Sequence, residues 1–323
     1  MTNIQNIVEE FNRARSKSKD VPSCLQFSAE ENSETGVKVV VCVKTTPAET
    51  GLRSVDPWML VFIHALRTRL PDSPIKRVHV DFKFKPTAYE IESFRRRLSY
   101  LAINNGWNAT IVVDEKSEDA HQIYKTIDEL LVRPENEVVR KDIAGRHDNP
   151  DSDGKIEKHF QTWLAGEVRG DNERLSVLSE DFIIRNARAK VIREFPTGVF
   201  DLVISKKSRI LPTYWVDLLS LNKRNELAVI ELKVNDSKLN VMAQALDYAL
   251  FFSCYRKQLT PFLSDLLGPS VCSTSAISCY IANNYFHPRF PEISPFYAPR
   301  SKKWPFTFRI IDLGKTSVLQ RND

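Results

Sequence analysis

The chain has 323 residues, 42% of them hydrophobic, with 46 Lys and Arg against 41 Asp and Glu for a net charge of +5. That length and apolar content are enough for two domains, each with a core of its own. No apolar run approaches the length of a bilayer span, and the opening MTNIQNIVEEFNRARSK has no stretch resembling a signal sequence, so a cytoplasmic location is expected and a membrane partner is not. The five cysteines are odd in number and form no C-x-x-C pair, which excludes a disulfide framework or a thiolate zinc site and predicts reduced thiols.

In chain order, Val37 to Lys44 reads as a strand, Asp56 to Leu70 as a helix, Arg77 to Phe84 as a strand, Thr87 to Asn104 as a helix, Ala109 to Val113 as a strand and Glu118 to Leu131 as a helix. This alternation predicts a small α/β domain over residues 1–145. It contains no Gly-rich phosphate loop, no Walker lysine and no ligand cluster. Arg95-Arg96-Arg97 reads as a solvated helix face, with nucleic-acid contact as the sharper alternative. Residues 146–154, RHDNPDSDG, are polar, carry Pro and Gly and lack apolar periodicity, and so read as a linker to a second domain over 155–323.

The second domain opens with a predicted helix in which Ile156, Phe160, Trp163 and Leu164 recur at helical spacing and Glu157 stands in the first turn, where the helix dipole favours an acid. Val191 to Phe195 reads as a strand, Pro196-Thr197-Gly198 as a turn and Val199 to Ile204 as the next strand. Asp217 then heads an apolar run to Leu221, the cluster Asn222-Lys223-Arg224-Asn225 turns the chain, and Leu227 to Ile230 leads into Glu231-Leu232-Lys233. That pattern is a strand, turn, strand hairpin. Residues two apart share a face of a strand, so Glu231 and Lys233 point the same way, with Asp217 able to lie beside them. Asp236 to Gln258 reads as an amphipathic helix with Gln244 and Tyr248 on one face, and Pro261 to Leu267 as a short helix. Ala276 to Ala282 and Phe306 to Leu313 read as strands. Between them lies an aromatic, proline-rich loop, Asn284 to Pro305, whose rings could stack on unpaired bases but are expected to pack against one another.

The chemistry these residue types allow is specific. Mg²⁺ takes oxygen ligands and keeps several waters, so one or two carboxylates and a substrate phosphate complete its shell, a role suited to Asp217 and Glu231. Bound there, the ion would polarise a phosphoryl oxygen and lower the pKa of a water. Lys233 could orient that water or stabilise the developing negative charge. Gln244 and Tyr248 could reach the metal site or the scissile phosphate, or could equally be a polar helix edge. Asp201 is a rival for the metal aspartate, but the basic loop Lys206-Lys207-Ser208-Arg209 separates it from Glu231. His159 and His287 read as surface or packing residues.

The run WVDLLSLNKRNELAVIELKV followed by AQALDYALFF resembles the PD-(D/E)XK nuclease superfamily, in the branch with a Q-x-x-x-Y helix motif. The likeness covers about half of the chain and is specific between Tyr214 and Phe252. It implies a restriction-endonuclease-like mixed sheet flanked by helices and an Mg²⁺ or Mn²⁺ cofactor. It also implies roles for Asp217, Glu231, Lys233, Gln244 and Tyr248, with Glu157 as a candidate third metal carboxylate. Val216 stands where the family name has a proline, and Trp215 is bulky beside it, which obscures the subgroup without removing a ligand. Many relatives cut as dimers, which leaves a homodimer open, although no helix displays a dimer seam.

Residues 1–150 carry 22 basic and 22 acidic side chains, whereas residues 151–323 carry 24 and 19, so the excess positive charge lies in the second half. It has the sign that phosphate contact requires. The expected function is therefore a metal-dependent deoxyribonuclease, an endonuclease whose amino-terminal domain selects substrate or partner. The alternative is a non-catalytic nucleic-acid-binding or assembly module that keeps the fold.

Overall fold

The computed structural model describes residues 3–17, 21–32, 36–47, 51–113, 122–141, 156–166, 172–183, 190–271 and 275–315. Through the first part of the chain they form α1 (Asn3–Lys17), β1 (Leu25–Asn32), β2 (Gly36–Val43), α2 (Val55–Arg69), β3 (Ile75–Phe82), α3 (Ala88–Asn105), β4 (Asn108–Val113), α4 (Ile127–Leu131) and β5 (Glu137–Val139). Then follow α5 (Ile156–Ala165), β6 (Ile192–Pro196), β7 (Val199–Asp201), β8 (Arg209–Leu211), β9 (Trp215–Leu221), β10 (Leu227–Lys233), α6 (Val241–Cys254), α7 (Arg256–Leu267), β11 (Ile277–Asn283), α8 (Phe290–Tyr297) and β12 (Phe306–Asp312). The chain is α/β, with mixed sheets. Among the described residues no helix is long and apolar enough to cross a membrane.

Two compact units emerge, and they interleave along the chain. The first comprises Met1–Val132, Lys238–Asp247 and His287–Ser301, and the second Arg133–Ser237, Tyr248–Phe286 and Lys302–Asp323. The predicted linker at 146–154 lies outside the described residues.

The first unit holds a sheet of order β1-β2-β3-β4, antiparallel between β1 and β2 and parallel thereafter. Alternation along β2 buries Val37, Val39, Val41 and Val43 completely. Thr87 and Glu90 form a capping box at the start of α3, and Gly106 supplies the left-handed residue, φ +72°, that ends it. The arginines of α3 do not form the solvated face expected from sequence. Arg97 is buried, donating to both oxygens of Asp247 at 2.9 and 3.0 Å, to Asp56 and to Leu52 O, while Tyr297 donates to Asp56 at 2.8 Å. Arg95 and Arg96 both pair with Glu92. A helical period cannot separate Arg97 from a solvated stripe, because the acids that satisfy it, Asp56 and Asp247, come from distant sequence.

Other departures are local. Of the helix predicted over Glu118 to Leu131, residues 118–121 lie outside the described set, 122–126 are described and not helical, and only α4 forms, capped by the Thr126 hydroxyl. The stretch read as a loop from Asn284 to Pro305 contains α8, which tolerates Pro291 in its first turn and buries Phe290, Ile293, Phe296 and Tyr297. The long helix predicted from Asp236 to Gln258 divides at Tyr255 into α6 and α7. Helix α1 and strand β1 had no sequence assignment, although Ile4 and Ile7, both buried, carry the helical spacing.

In the second unit a five-stranded sheet runs β12-β11-β10-β9-β6, and a smaller antiparallel sheet runs β5-β7-β8. Phe160 and Leu164 of α5 pack with Leu218 of β9 and with Ala228, Ile230 and Leu232 of β10. Burying the even positions of β10 in that core turns Glu231 to the opposite face of the strand. The β9–β10 turn is held by Asn222, whose Oδ1 accepts the backbone N–H groups of Arg224 and Glu226 at 2.9 and 3.0 Å, and by Asn225 in the left-handed region, φ +57°.

Candidate active site

Strands β9 and β10 pair from Leu221 opposite Leu227 as far as Leu218 opposite Ile230, and there they part. Beyond that point β9 continues against β6 through Val216 and Trp215, while β10 continues against β11 through Glu231, Leu232 and Lys233. Asp217 and Glu231 are the first residues past the fork. Asp217 Oδ2 accepts the Leu232 N–H at 2.7 Å, replacing a ladder acceptor where the strands separate. Gln161 of α5 donates to the Asp217 backbone carbonyl at 2.9 Å and to its Oδ1 at 3.3 Å.

Lys233 closes the arrangement. Its Nζ lies 2.7 Å from Glu231 Oε1, donates to Leu232 O at 2.9 Å and meets Glu157 Oε1 at 3.2 Å. The second oxygen of Glu157 accepts the Val234 N–H, also at 3.2 Å. Glu157 and Gln161 are one helical turn apart, so a single face of α5 supplies both contacts. The chain turns away just after Lys233: Asn235 takes a φ of +59° and exchanges hydrogen bonds with Asn284 at 2.7 and 2.8 Å.

Glu231 is 1% exposed, the Lys233 side chain 17% and the Glu157 side chain 33%, so the pocket reaches solvent on the Glu157 side. Burial, then the like charge of Glu231, pushes the Asp217 carboxyl well above its ordinary range; Lys233 and the Leu232 N–H oppose the rise without cancelling it. Burial disfavours the Lys233 cation, but Glu231, Asp217 and Glu157 together outweigh it and raise the amine above its usual value. Lys233 is therefore an ammonium at neutral pH, a donor and not a base.

Oxygen is the only ligand chemistry the acids and the neighbouring carbonyl present, which suits a hard divalent cation. Among the described residues no group of three or more His, Cys, Asp or Glu side chains has metal-cage spacing. Two buried carboxylates of like charge suffice for an ion that retains water ligands, so Asp217 and Glu231 fit Mg²⁺ or Mn²⁺.

The other residues singled out from sequence are distributed more widely. Tyr248 is 1% exposed and donates to Trp215 O at 2.8 Å, bracing β9 two residues before Asp217. Gln244, one turn earlier on α6, belongs to the first unit. Asp201 lies on the smaller sheet, exposed, and accepts Asn136 Nδ2 at 2.6 Å. His159 is exposed on α5, and His287 meets Trp58 edge-on in the first unit. Lys223 pairs with Asp181 and Arg224 with Glu226.

Two features went unread in the sequence. Gln161 grips Asp217, and its spacing of four from Glu157 was the available signal. Glu194 falls between Arg193 and Phe195, which pair with Leu218 and Val216, so it stands across from Asp217; its φ is +54°, a strained value for a side-chain-bearing residue. Only a register known in three dimensions shows that opposition. Comparison of the chain with family models, with curated proteins and with solved structures finds no match.

Proposed function

We propose that this protein is a metal-dependent nuclease that hydrolyses phosphodiester bonds in DNA, with a restriction-endonuclease-like second unit and a first unit that selects substrate or partner. The observation that carries the reading is the convergence of Asp217, Glu231 and Lys233 at the fork between β9 and β10. Asp217 and Glu231 would hold Mg²⁺ or Mn²⁺, with Glu157 on the solvent side engaged by Lys233 and the Val234 N–H. When bound, the ion supplies Lewis-acid polarisation of the phosphate and a water acidic enough to attack near neutral pH.

The side chains do the rest. Lys233, held cationic by three acids, stabilises negative charge accumulating on the phosphate and orients the attacking water. The bonds from Gln161 and Leu232 fix the Asp217 carboxylate, so little reorganisation is needed when substrate arrives. Tyr248 and the Asn235–Asn284 pair act as positioning groups at the two strand ends.

The test is incubation of the full chain with plasmid, single-stranded and branched DNA in Mg²⁺, Mn²⁺ or EDTA. Cleavage should require metal and vanish in Asp217→Ala, Glu231→Ala and Lys233→Ala. The 2.7 Å Lys233–Glu231 pair favours a second reading, a structural ion cluster in a non-catalytic nucleic-acid-binding or assembly module. Binding of DNA without cleavage in any metal selects that alternative.

A further inference from the structure

The turn between β7 and β8 in the second unit is built against the usual rules for a surface. After β7 ends at Asp201, the next three residues, Leu202, Val203 and Ile204, are 67%, 63% and 54% exposed. Three consecutive exposed aliphatic residues are ordinarily selected against unless they touch something. Leu202 moreover takes a φ of +57°, an unfavourable conformation for such a residue. Ser205, Lys206 and Lys207 follow, all exposed, and among the described residues neither lysine has an ion-pair partner.

The tip is nevertheless well held. Ser205 and Ser208 bond to each other at 2.8 Å and each accepts the other's backbone N–H at 3.2 Å, while the Ser208 hydroxyl also donates to Val203 O. Leu202 N–H donates to Asn136 O at 2.8 Å and Asp201 N–H to Ser208 O at 2.7 Å, so both sides of the turn are anchored. Arg209 lies over the Phe200 ring at 5.9 Å.

This tip is the end of a ribbon that begins at the candidate active site. β6 pairs antiparallel with β9, Thr197 and Tyr214 continue the pairing with an N–H···O bond of 2.9 Å, and β7 pairs with β8 beyond them. Gly198 stands at the bend, where a Cβ would come within 2.4 Å of Thr213 Oγ1. From Asp217 to Arg209 the ribbon is eight residues long, a reach of at most about 26 Å, which is about eight base-pair steps of B-DNA.

Resting on the nuclease reading above, we infer that the Leu202–Arg209 turn is a duplex-DNA contact. Leu202, Val203 and Ile204 form an apolar wedge against base steps, and Lys206 and Lys207 bind the flanking phosphates. Charge chooses this occupant: an aliphatic tip followed at once by two exposed lysines with no ion-pair partner among the described residues complements a duplex, with stacked apolar bases inside and phosphates outside. A wedge of this kind unstacks the step it enters and kinks the helix.

The experiment measures binding alone, in EDTA, so that it is independent of cleavage. Wild-type full chain is titrated into a duplex carrying a fluorescent purine analogue whose emission rises on unstacking, and in parallel onto neutral and anionic lipid vesicles. Replacing Leu202, Val203 and Ile204 together by Ser should weaken duplex binding by about tenfold or more and abolish the emission rise. Lys206→Ala with Lys207→Ala should lower the slope of log K against log salt by about 1.8. Unchanged duplex affinity in both variants, or a loss confined to vesicle binding, overturns the inference. Tip-dependent duplex binding by a protein that cleaves nothing in any metal would remove the nuclease reading and leave this one standing.

Discussion

The carboxylate of Asp217 accepts the backbone N–H of Leu232 at 2.7 Å, so the acid proposed as a cation ligand also joins two strands that have stopped pairing. Structural and electrostatic demands on this side chain conflict. The bond needs an acceptor, which an amide oxygen supplies equally well, whereas the negative charge faces Glu231 in a partly dry site.

Asp217→Asn should therefore abolish cleavage and raise the melting temperature in EDTA. In the wild type, the native Asp217 keeps its proton at pH values where the unfolded chain has lost it. Stability should fall as pH rises from the ordinary carboxylate range to the raised native value, and should level off above it. Melting curves across this interval should show the slope in wild type and a flatter profile in Asp217→Asn; parallel profiles would refute the assignment.

Lys233→Met tests the opposite charge. It removes the partner of a carboxylate that is only 1% exposed, and breaking a buried pair from one side costs about 3 kcal/mol or more. Denaturant titration should show that loss. A second change, Glu231→Gln in the same chain, should restore much of it, because the orphaned charge is then gone.

Divalent cations should stabilise the folded protein by mass action, about 2.7 kcal/mol at a hundredfold excess over the dissociation constant. Thermal shifts with Mg²⁺ or Mn²⁺ should be present in wild type and absent in Glu231→Gln. Equal shifts in both proteins would place the cation elsewhere.

Tyr248→Phe should behave as the loss of a brace. The hydroxyl donates to Trp215 O from a buried position, so its removal leaves a carbonyl short of a partner, at a cost of about 1 to 2 kcal/mol. Cleavage should persist within a few fold once the assay temperature is lowered below the new melting point. Complete loss of turnover in a folded variant would instead give the phenol contact with the phosphate.

In the first unit, Arg97→Met strands Asp56 and Asp247 together without their shared guanidinium. A destabilisation of about 3 to 5 kcal/mol is expected in denaturant titration. Arg97→Lys should recover only part of it, since an ammonium cannot reproduce the planar fork that contacts both carboxylates and Leu52 O.

Local pattern was enough to find the hairpin and the acids it carries. Continuous burial along β10 is written in the unbroken apolar run Leu227-Ala228-Val229-Ile230, and two-residue spacing puts Glu231 and Lys233 on one face. The helical period likewise located α2, α3 and α5 to within a few residues, because a buried stripe must recur every turn, while at α6 it ran on across the break at Tyr255. Proline content misled at α8, where the first turn needs no N–H from Pro291 and four large side chains reward burial.

What only the tertiary structure decided depends on partners distant in sequence. The fork that sets Asp217 beside Leu232, the grip of Gln161, the opposition of Glu194, and the pairing of Lys233 with Glu157 across 76 residues all arise from register and packing. So does the burial of Arg97, a residue whose composition and spacing alone suggest solvent. Sequence determined which faces had to be covered and which chemical groups lay at the end of a buried strand. Covering those faces required particular segments to meet, and that long-range choice fixed how the charges are shared.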